Sequence, residues 1–255
     1  MEDKNKTRPG RIRAVSAVLI LTWIFFVPGA FASEHCNFFC TFGHDISHFV
    51  KSSATITTLM TGLSMGSMST VFDQDITRSR INSDLTGNAK LDHFFEPGAI
   101  GGSTAFHVGT TITTVAVGQL LGSARVSNFG MQLVRAHLLN TMVTQLLKRT
   151  VRRERPDGSN RRSFPSGHAS STFALATVLQ RNFGWKVGLV AYTFATYVGV
   201  SRLSENKHYL SDVIMGAAVG IATAQSIGRG PHNTVPVQPL IGLRSAGLRI
   251  SVILP

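Results

Sequence analysis

Two histidines of this chain, His168 and His208, stand in settings suited to phosphoryl chemistry. His168 closes the run Phe164-Pro165-Ser166-Gly167-His168 and opens an apolar stretch, Ala169 to Leu179, that reads as a helix. Ser166 is the type of residue that caps a helix, and Gly167 lets an anion approach the backbone closely. Free amides at a helix start attract phosphate oxygens, and an imidazole of near-neutral pKa placed there can donate a proton to a leaving group. His208 follows Arg202 after the five residues Leu203 to Lys207 and precedes Asp212 by one helical turn. That turn brings the carboxylate to the ring nitrogen that does not attack, which sets the tautomer and stabilises the imidazolium. Arg202 adds a planar fork that grips two phosphate oxygens. Both histidines also have plain readings, a capped helix with a polar first turn and a buried His-Asp hydrogen bond. Neither accounts for the cations nearby.

Those cations lie just upstream. Lys148 and Arg155 are seven residues apart, almost two helical turns, so a continuous helix presents both on one face before Pro156 ends it. Arg149, Arg152 and Arg153 read instead as a solvated run of charge.

Six segments carry helical periodicity: about 52–72, 100–124, 129–149, 166–181, 185–200 and 209–227. With no sustained alternation to suggest strands, the expected fold is all-α, a six-helix core bundle. Residues 73–98, polar and mixed in charge, read as a long loop or a loop with short helical turns. Residues 228–255 hold Pro231, Pro236, Pro239 and Pro255 and read as a surface tail without a helix. The chain thus divides into 1–32, an amino-terminal segment 33–51, a helical domain 52–227 and the tail 228–255. No internal repeat or low-complexity tract interrupts it.

The motifs together resemble a known family. Lys148 with six residues before Arg155-Pro156, then Pro165-Ser166-Gly167-His168, then Ser201-Arg202 with His208 and Asp212, are similar to the three-part signature of the type 2 phosphatidic acid phosphatase superfamily. That group includes bacterial non-specific acid phosphatases, lipid phosphatases and vanadium haloperoxidases. The resemblance covers about 52–227 and implies the bundle typical of that group. It also implies a phosphomonoester hydrolase in which His208 is the nucleophile forming a phosphohistidine and Asp212 orients it. His168 then protonates the departing alcohol and later activates water. Lys148, Arg155, Arg202, Ser166 and the Gly167 amide bind the phosphoryl oxygens. No cofactor and no metal is implied, because three cations and a helix start already surround the anion. Only eight residues, 157–164, separate Pro156 from Pro165, which leaves little room for an insertion over the substrate and suggests an open pocket.

Composition sets the surroundings. The 255 residues carry 25 Lys and Arg against 13 Asp and Glu, a formal charge of +12. A basic chain can meet anionic lipid, nucleic acid or a phosphorylated small molecule. Few aromatic residues interleave with the basic cluster, so nucleic acid is not an expected partner; a phosphorylated small molecule or a lipid phosphate is. Lys4, Lys6, Arg8, Arg11 and Arg13 precede an uncharged run from Ala14 to Phe31, and Ala30-Phe31-Ala32 has the form that signal peptidase accepts. The expectation is export, to a bacterial periplasm or cell envelope; an uncleaved anchor and an integral membrane protein are the alternative. Cys36 and Cys40 then most simply form a local disulfide. Together with His44 and His48 they also recur every four residues, but four ligands on a straight line cannot converge on one ion. Membrane association and oligomeric state stay open at this stage. So do phosphoryl transfer to an alcohol, pyrophosphate hydrolysis, vanadate-dependent halide oxidation and non-enzymatic anion binding as other uses of the same pocket.

Overall fold

The structure, a computed structural model, describes residues 38–85, 89–228, 237–242 and 245–250. The basic amino terminus and the apolar run from Ala14, with Cys36, lie outside the described residues. The described helices are α1 (Phe38–Lys51), α2 (Ser53–Leu85), α3 (Ala89–Gly101), α4 (Thr104–Leu120), α5 (Ala124–Val151), α6 (Gly167–Phe183), α7 (Trp185–Ser204) and α8 (Leu210–Ser226). A short antiparallel hairpin follows, β1 (Val237–Gly242) with β2 (Ser245–Ile250), in which Val237 pairs with Ile250. The core is all-α, as expected, and the hairpin adds to it a feature that the proline-rich tail did not advertise.

One expectation is overturned. Residues 73–98 are helical over all but the three residues 86–88, which are not described, because α2 runs 33 residues to Leu85 and α3 begins at Ala89. The polarity that suggested a loop has a tertiary use. Asp73 is buried, and its carboxylate is bonded to Ser211 and Arg153. The expected helix 100–124 is also broken, at Gly102 and Ser103, where Ser103 caps α4 by accepting from the Phe106 amide at 3.2 Å. Ser123 starts α5 in the same way.

Helix α6 lies at the centre, packed on α5, α7 and α8, while α8 also packs on α2. Leu133, Ala136 and Leu139 of α5, Ala174 and Val178 of α6, and Ala224 with Ile227 at the end of α8 form the main apolar cluster. Phe42, Ile46 and Phe49 of α1, at helical spacing, pack against it. Small residues let α6 and α8 touch backbone to backbone: a Cβ on Gly220 would stand 2.1 Å from the Ser170 carbonyl oxygen. Gly184 joins α6 to α7 at φ +88°, a conformation that residues with a side chain rarely adopt. Among the described residues no helix is long and apolar enough to cross a membrane. Cys40 is disulfide-bonded, so its sulfur is not a thiolate ligand, and no cluster of three or more potential metal ligands occurs among the described residues.

Polar groups are also built into the interior. Arg135 and Asp45, both buried, pair at 2.6 Å, and the Gly228 backbone bonds to each of them, its carbonyl accepting from Arg135 and its amide donating to Asp45. The set ties α1 and α5 to the end of α8. A second group lies under α6, where the His107 and His137 rings sit 4.9 Å apart and His107 Nε2 is 3.3 Å from Thr172 Oγ1. Burial, reinforced for His107 by the neighbouring His137 and His168, lowers His107 to about 3 and His137 to about 4. Both rings are therefore neutral in the fold, whereas in the unfolded chain they take up a proton near pH 6.5. Stability from this pair is complete above pH 6.5 and is lost as pH falls toward 4, at up to about 1.4 kcal/mol per pH unit for each ring. Thermal melts from pH 7 to 4.5 should show a falling Tm, and His137→Gln should flatten that slope; an unchanged slope would remove the pair from the cause.

Candidate active site

Three chain segments build the site: the end of α5 with the connection that follows it, the start of α6, and the α7–α8 turn. Lys148, on the last turn of α5, is buried and donates from Nζ to the carbonyls of Arg162 at 2.8 Å and Pro165 at 2.6 Å. Two of its three donors thus shape the loop that presents Ser166 and Gly167. Burial and the neighbouring Arg155 lower its pKa to about 8, against the opposite pull of Asp212. Beyond Arg152, in left-handed conformation at the end of α5, the Arg155 amide bonds the Asn160 carbonyl and the Ser163 amide bonds the Arg153 carbonyl. This compact turn points Arg155 inward, with a buried Nε that has no hydrogen-bond partner among the described residues. Such a donor is available to an anion.

Ser166 caps α6, its hydroxyl 3.5 Å from the Ala169 amide, and its own amide donates to the Asp212 carbonyl at 2.9 Å. The start of α6 is therefore bolted to α8. His168 projects from the first turn of α6. Burial, then the charges of Arg202, Arg155 and Lys148 and the neighbouring His208, bring its pKa down to about 4. Lys148 and Arg155 act on His208 as well, and Arg202 acts on His168, so the two histidines and the three cations lie close together. Gly102, in the α3–α4 turn, covers His168 so closely that a Cβ there would lie 2.8 Å from its side chain.

His208 precedes α8 and is buried, with Nδ1 3.7 Å from Asp212 Oδ2. That separation is an ion-pair distance and longer than a hydrogen bond. Burial holds the ring below its ordinary pKa, opposed by Asp212 and assisted by Lys148 and Arg155. Asp212 itself is wholly buried. Its Oδ2 accepts from the Ser163 hydroxyl and from the Tyr209 amide at 2.9 Å, and its Oδ1 accepts from Arg153 at 2.9 Å. Burial opposes ionisation, yet His208, Ser163, the Tyr209 amide and Arg153 outweigh it and keep the carboxyl below its usual range. Arg202 is buried, with Nε and one terminal nitrogen on the Ser201 hydroxyl, both at 3.2 Å. The same terminal nitrogen bonds the carboxylate of Glu205. Part of the fork expected to face phosphate is thus engaged by protein, and its other terminal nitrogen has none of these bonds.

All eight residues singled out in the sequence, Lys148, Arg155, Ser166, Gly167, His168, Arg202, His208 and Asp212, fall at this one end of the bundle. Arg153 corrects an expectation: it is no solvated charge but a partly buried partner of Asp212 and Asp73. Spacing carried no signal for this role, nor for Ser163, since both act through contacts across the fold. The apolar side chains separate as well. Phe42 and Phe49 belong to the core, whereas Phe94 is exposed beside Phe95 and Tyr197. A cavity of about 420 Å³ lies elsewhere, lined by Thr113, Thr114, Val117, Arg125, Val126, Phe129 and Phe183. It is roughly 30 Å along α5 from Lys148 and holds none of these groups.

Comparison with known proteins points to the same stretch of the chain. The sequence model of the PAP2 superfamily matches residues 129–234, which contain all eight residues. Over these residues the chain is similar to the PAP2 superfamily. It is 42% identical over 76 residues to a lipid A 1-phosphatase of Porphyromonas gingivalis, across 29% of this chain and 17% of that protein. It is also 36% identical over 100 residues to a decaprenylphosphoryl-5-phosphoribose phosphatase of Mycobacterium tuberculosis, across 34% of this chain and 55% of that protein. The matched stretches span about half or less of these relatives. Among solved structures, a transmembrane PAP2 type phosphatidylglycerolphosphate phosphatase from Bacillus subtilis is similar in fold, with a TM-score of 0.57 at 19% identity, covering 68% of this chain and 93% of that one.

With a pKa near 4, His168 is neutral at pH 7 until an anion arrives. A bound dianion adds negative charge beside it and should raise its pKa by more than one unit. NMR titration of the His168 ring with and without inorganic phosphate measures this; an unmoved pKa at saturating phosphate would place the anion elsewhere.

Proposed function

We propose that this chain is a lipid-phosphate hydrolase that works through a phosphohistidine on His208. The observation that carries the reading is His208 backed by a buried carboxylate at Nδ1, in a space shared with His168, Lys148, Arg155 and Arg202. The phosphoryl oxygens are held by these cations and by the amides at the start of α6. His208 Nε2 attacks phosphorus in line, and the ester bond breaks with its electron pair on the leaving oxygen. His168, protonated once the anion is bound, delivers its proton to that oxygen. Neutral His168 then takes a proton from water, whose oxygen attacks the phosphohistidine and releases inorganic phosphate. Asp212 balances the charge that develops on His208.

Several observations support a lipid rather than a small soluble substrate. The curated relatives are lipid A, decaprenylphosphoryl-phosphoribose, phospholipid and diacylglycerol pyrophosphate phosphatases by name. Met68, Val71 and Phe72 on α2 and Trp185, Leu189 and Val190 on α7 are exposed apolar side chains of the kind that meet lipid. The basic amino terminus with its apolar run supports an enzyme of the cell envelope.

Purified full-length protein in mixed micelles should release phosphate from a long-chain lipid monophosphate or diphosphate faster than from a short soluble ester. The reverse preference would favour a soluble acid phosphatase. His208→Ala should lower turnover by roughly three orders of magnitude or more without loss of the folded state, and should abolish the acid-labile phosphoenzyme seen on rapid quench. Phosphate release from that variant at the wild-type rate would refute the phosphohistidine.

A further inference from the structure

Arg153 stands outside the eight residues, yet it is the most connected cation near them. One terminal nitrogen donates to Asp212 Oδ1 at 2.9 Å and to Ser211 Oγ at 2.6 Å. The other donates to Asp73 Oδ2 at 2.8 Å, and the guanidinium lies 4.0 Å from the centre of the Tyr209 ring. Asp73 is bonded in turn to Ser211, accepting from its amide at 3.1 Å and from its hydroxyl at 2.6 Å. Two buried carboxylates from distant parts of the chain are thus compensated by one guanidinium, and Ser211 bonds both that guanidinium and Asp73.

Arg153 holds Oδ1 of Asp212, whereas His208 Nδ1 stands nearest Oδ2. Lys148 and Arg155 act electrostatically on both His168 and His208, and Arg202 acts on His168, whereas Arg153 bonds the Asp212 carboxylate directly. Its role is therefore exerted through the carboxylate. With Oδ1 claimed by Arg153, Oδ2 is the oxygen left for Ser163, the Tyr209 amide and the His208 ring. A carboxylate freed from Arg153 can rotate and present either oxygen, or neither, to the imidazole.

We propose that Asp73, Arg153 and Ser211 form a positioning set that locks the Asp212 carboxylate toward His208 Nδ1, with helix α2 anchoring the clamp through Asp73. The long α2 then has a role in the chemistry although it supplies no group to the phosphoryl space. The charged and titratable groups that face Asp212 are His208 from its own segment, Arg153 from the connection after α5, Lys148 from α5, and Asp73 from α2 by way of Arg153 and Ser211. Of these, removal of Arg153 leaves Asp212 with less positive charge, so the carboxylate protonates at a higher pH. Misorientation of a catalytic pair by about 1 Å costs on the order of a hundredfold in rate.

The proposal rests on the phosphohistidine reading, and its test has a readout independent of turnover. In the full chain, Arg153→Gln should lower kcat about 100-fold while KM and inhibition by vanadate stay within about twofold, because no phosphoryl ligand is lost. The acid limb of the kcat profile should move upward by about one pH unit. Arg153→Lys, which keeps the charge without the fork, should restore the acid limb and not the full kcat. Asp73→Asn and Ser211→Ala should act in the same direction with smaller losses, and they carry the test if Arg153→Gln does not fold. Nitrogen-15 NMR of His208 should show the Nδ1-protonated tautomer in the wild type and a mixture in Arg153→Gln. A fall in Tm with kcat, pH profile and tautomer unchanged would overturn the proposal in favour of a purely structural clamp. Vanadate affinity falling in step with kcat/KM would overturn it in favour of direct phosphate contact. If the wild type hydrolyses no phosphate ester, the phosphohistidine reading fails, while the tautomer measurement still decides whether Arg153 positions the pair.

Discussion

The buried carboxylate of Asp212 is the constraint on which the rest of the site depends. An ionised carboxylate without exposure to water must be matched by donors and opposite charge, or it protonates. Here the partners come from two separate stretches: Ser163 and Arg153 after α5, and the Tyr209 amide and His208 at the start of α8. The same residue's carbonyl accepts from the Ser166 amide and so holds the start of α6 against α8. One residue thereby ties His208 to the turn that carries Ser166, Gly167 and His168. Satisfying Asp212 and assembling the site are one event.

A second constraint is electrostatic and runs the other way. Burial, assisted by Lys148 and Arg155 at both rings and by Arg202 at His168, drives His168 and His208 toward the neutral form. In the proposed mechanism a neutral His208 is a competent nucleophile, and a neutral His168 becomes an acid only when the substrate brings negative charge beside it. The cations are in turn partly occupied by protein: Lys148 by two carbonyls, Arg202 by Ser201 and Glu205. These bonds hold the cationic side chains in place before any phosphate binds, which lowers the ordering cost of binding.

Most of the helices, and the eight residues that gather at one end of the bundle, were legible in the sequence because each rests on local relations. Ser166 before an apolar helix is a cap, and His208 and Asp212 are one turn apart. The shared helix face expected of Lys148 and Arg155 is not formed, since α5 ends at Val151 and Arg155 lies in the turn beyond it. The stretch 73–98 was misread for a physical reason: charge density suggests solvent, and Asp73 is charged, but its partners are 80 and 138 residues away in the chain. Arg153 was misread likewise, as one basic residue among several. Phe42 and Phe94 show the same limit for apolar groups, since one fills the core and the other faces out although their local contexts are similar.

The amino-acid sequence by itself therefore determined the all-α core, the superfamily to which the motifs point, and which residues gather at one end of the bundle. Only the tertiary structure decided which distant neighbours those groups have: that Asp73 reaches Arg153 and Ser211 from a long α2, and that Arg153 pairs with Asp212. The division follows from range. Capping, helical spacing and turn chemistry act within a few residues and leave their mark on the order of residue types. The pairing of buried charges depends on which distant segments the packing of α2, α6 and α8 brings together, and no local pattern records that.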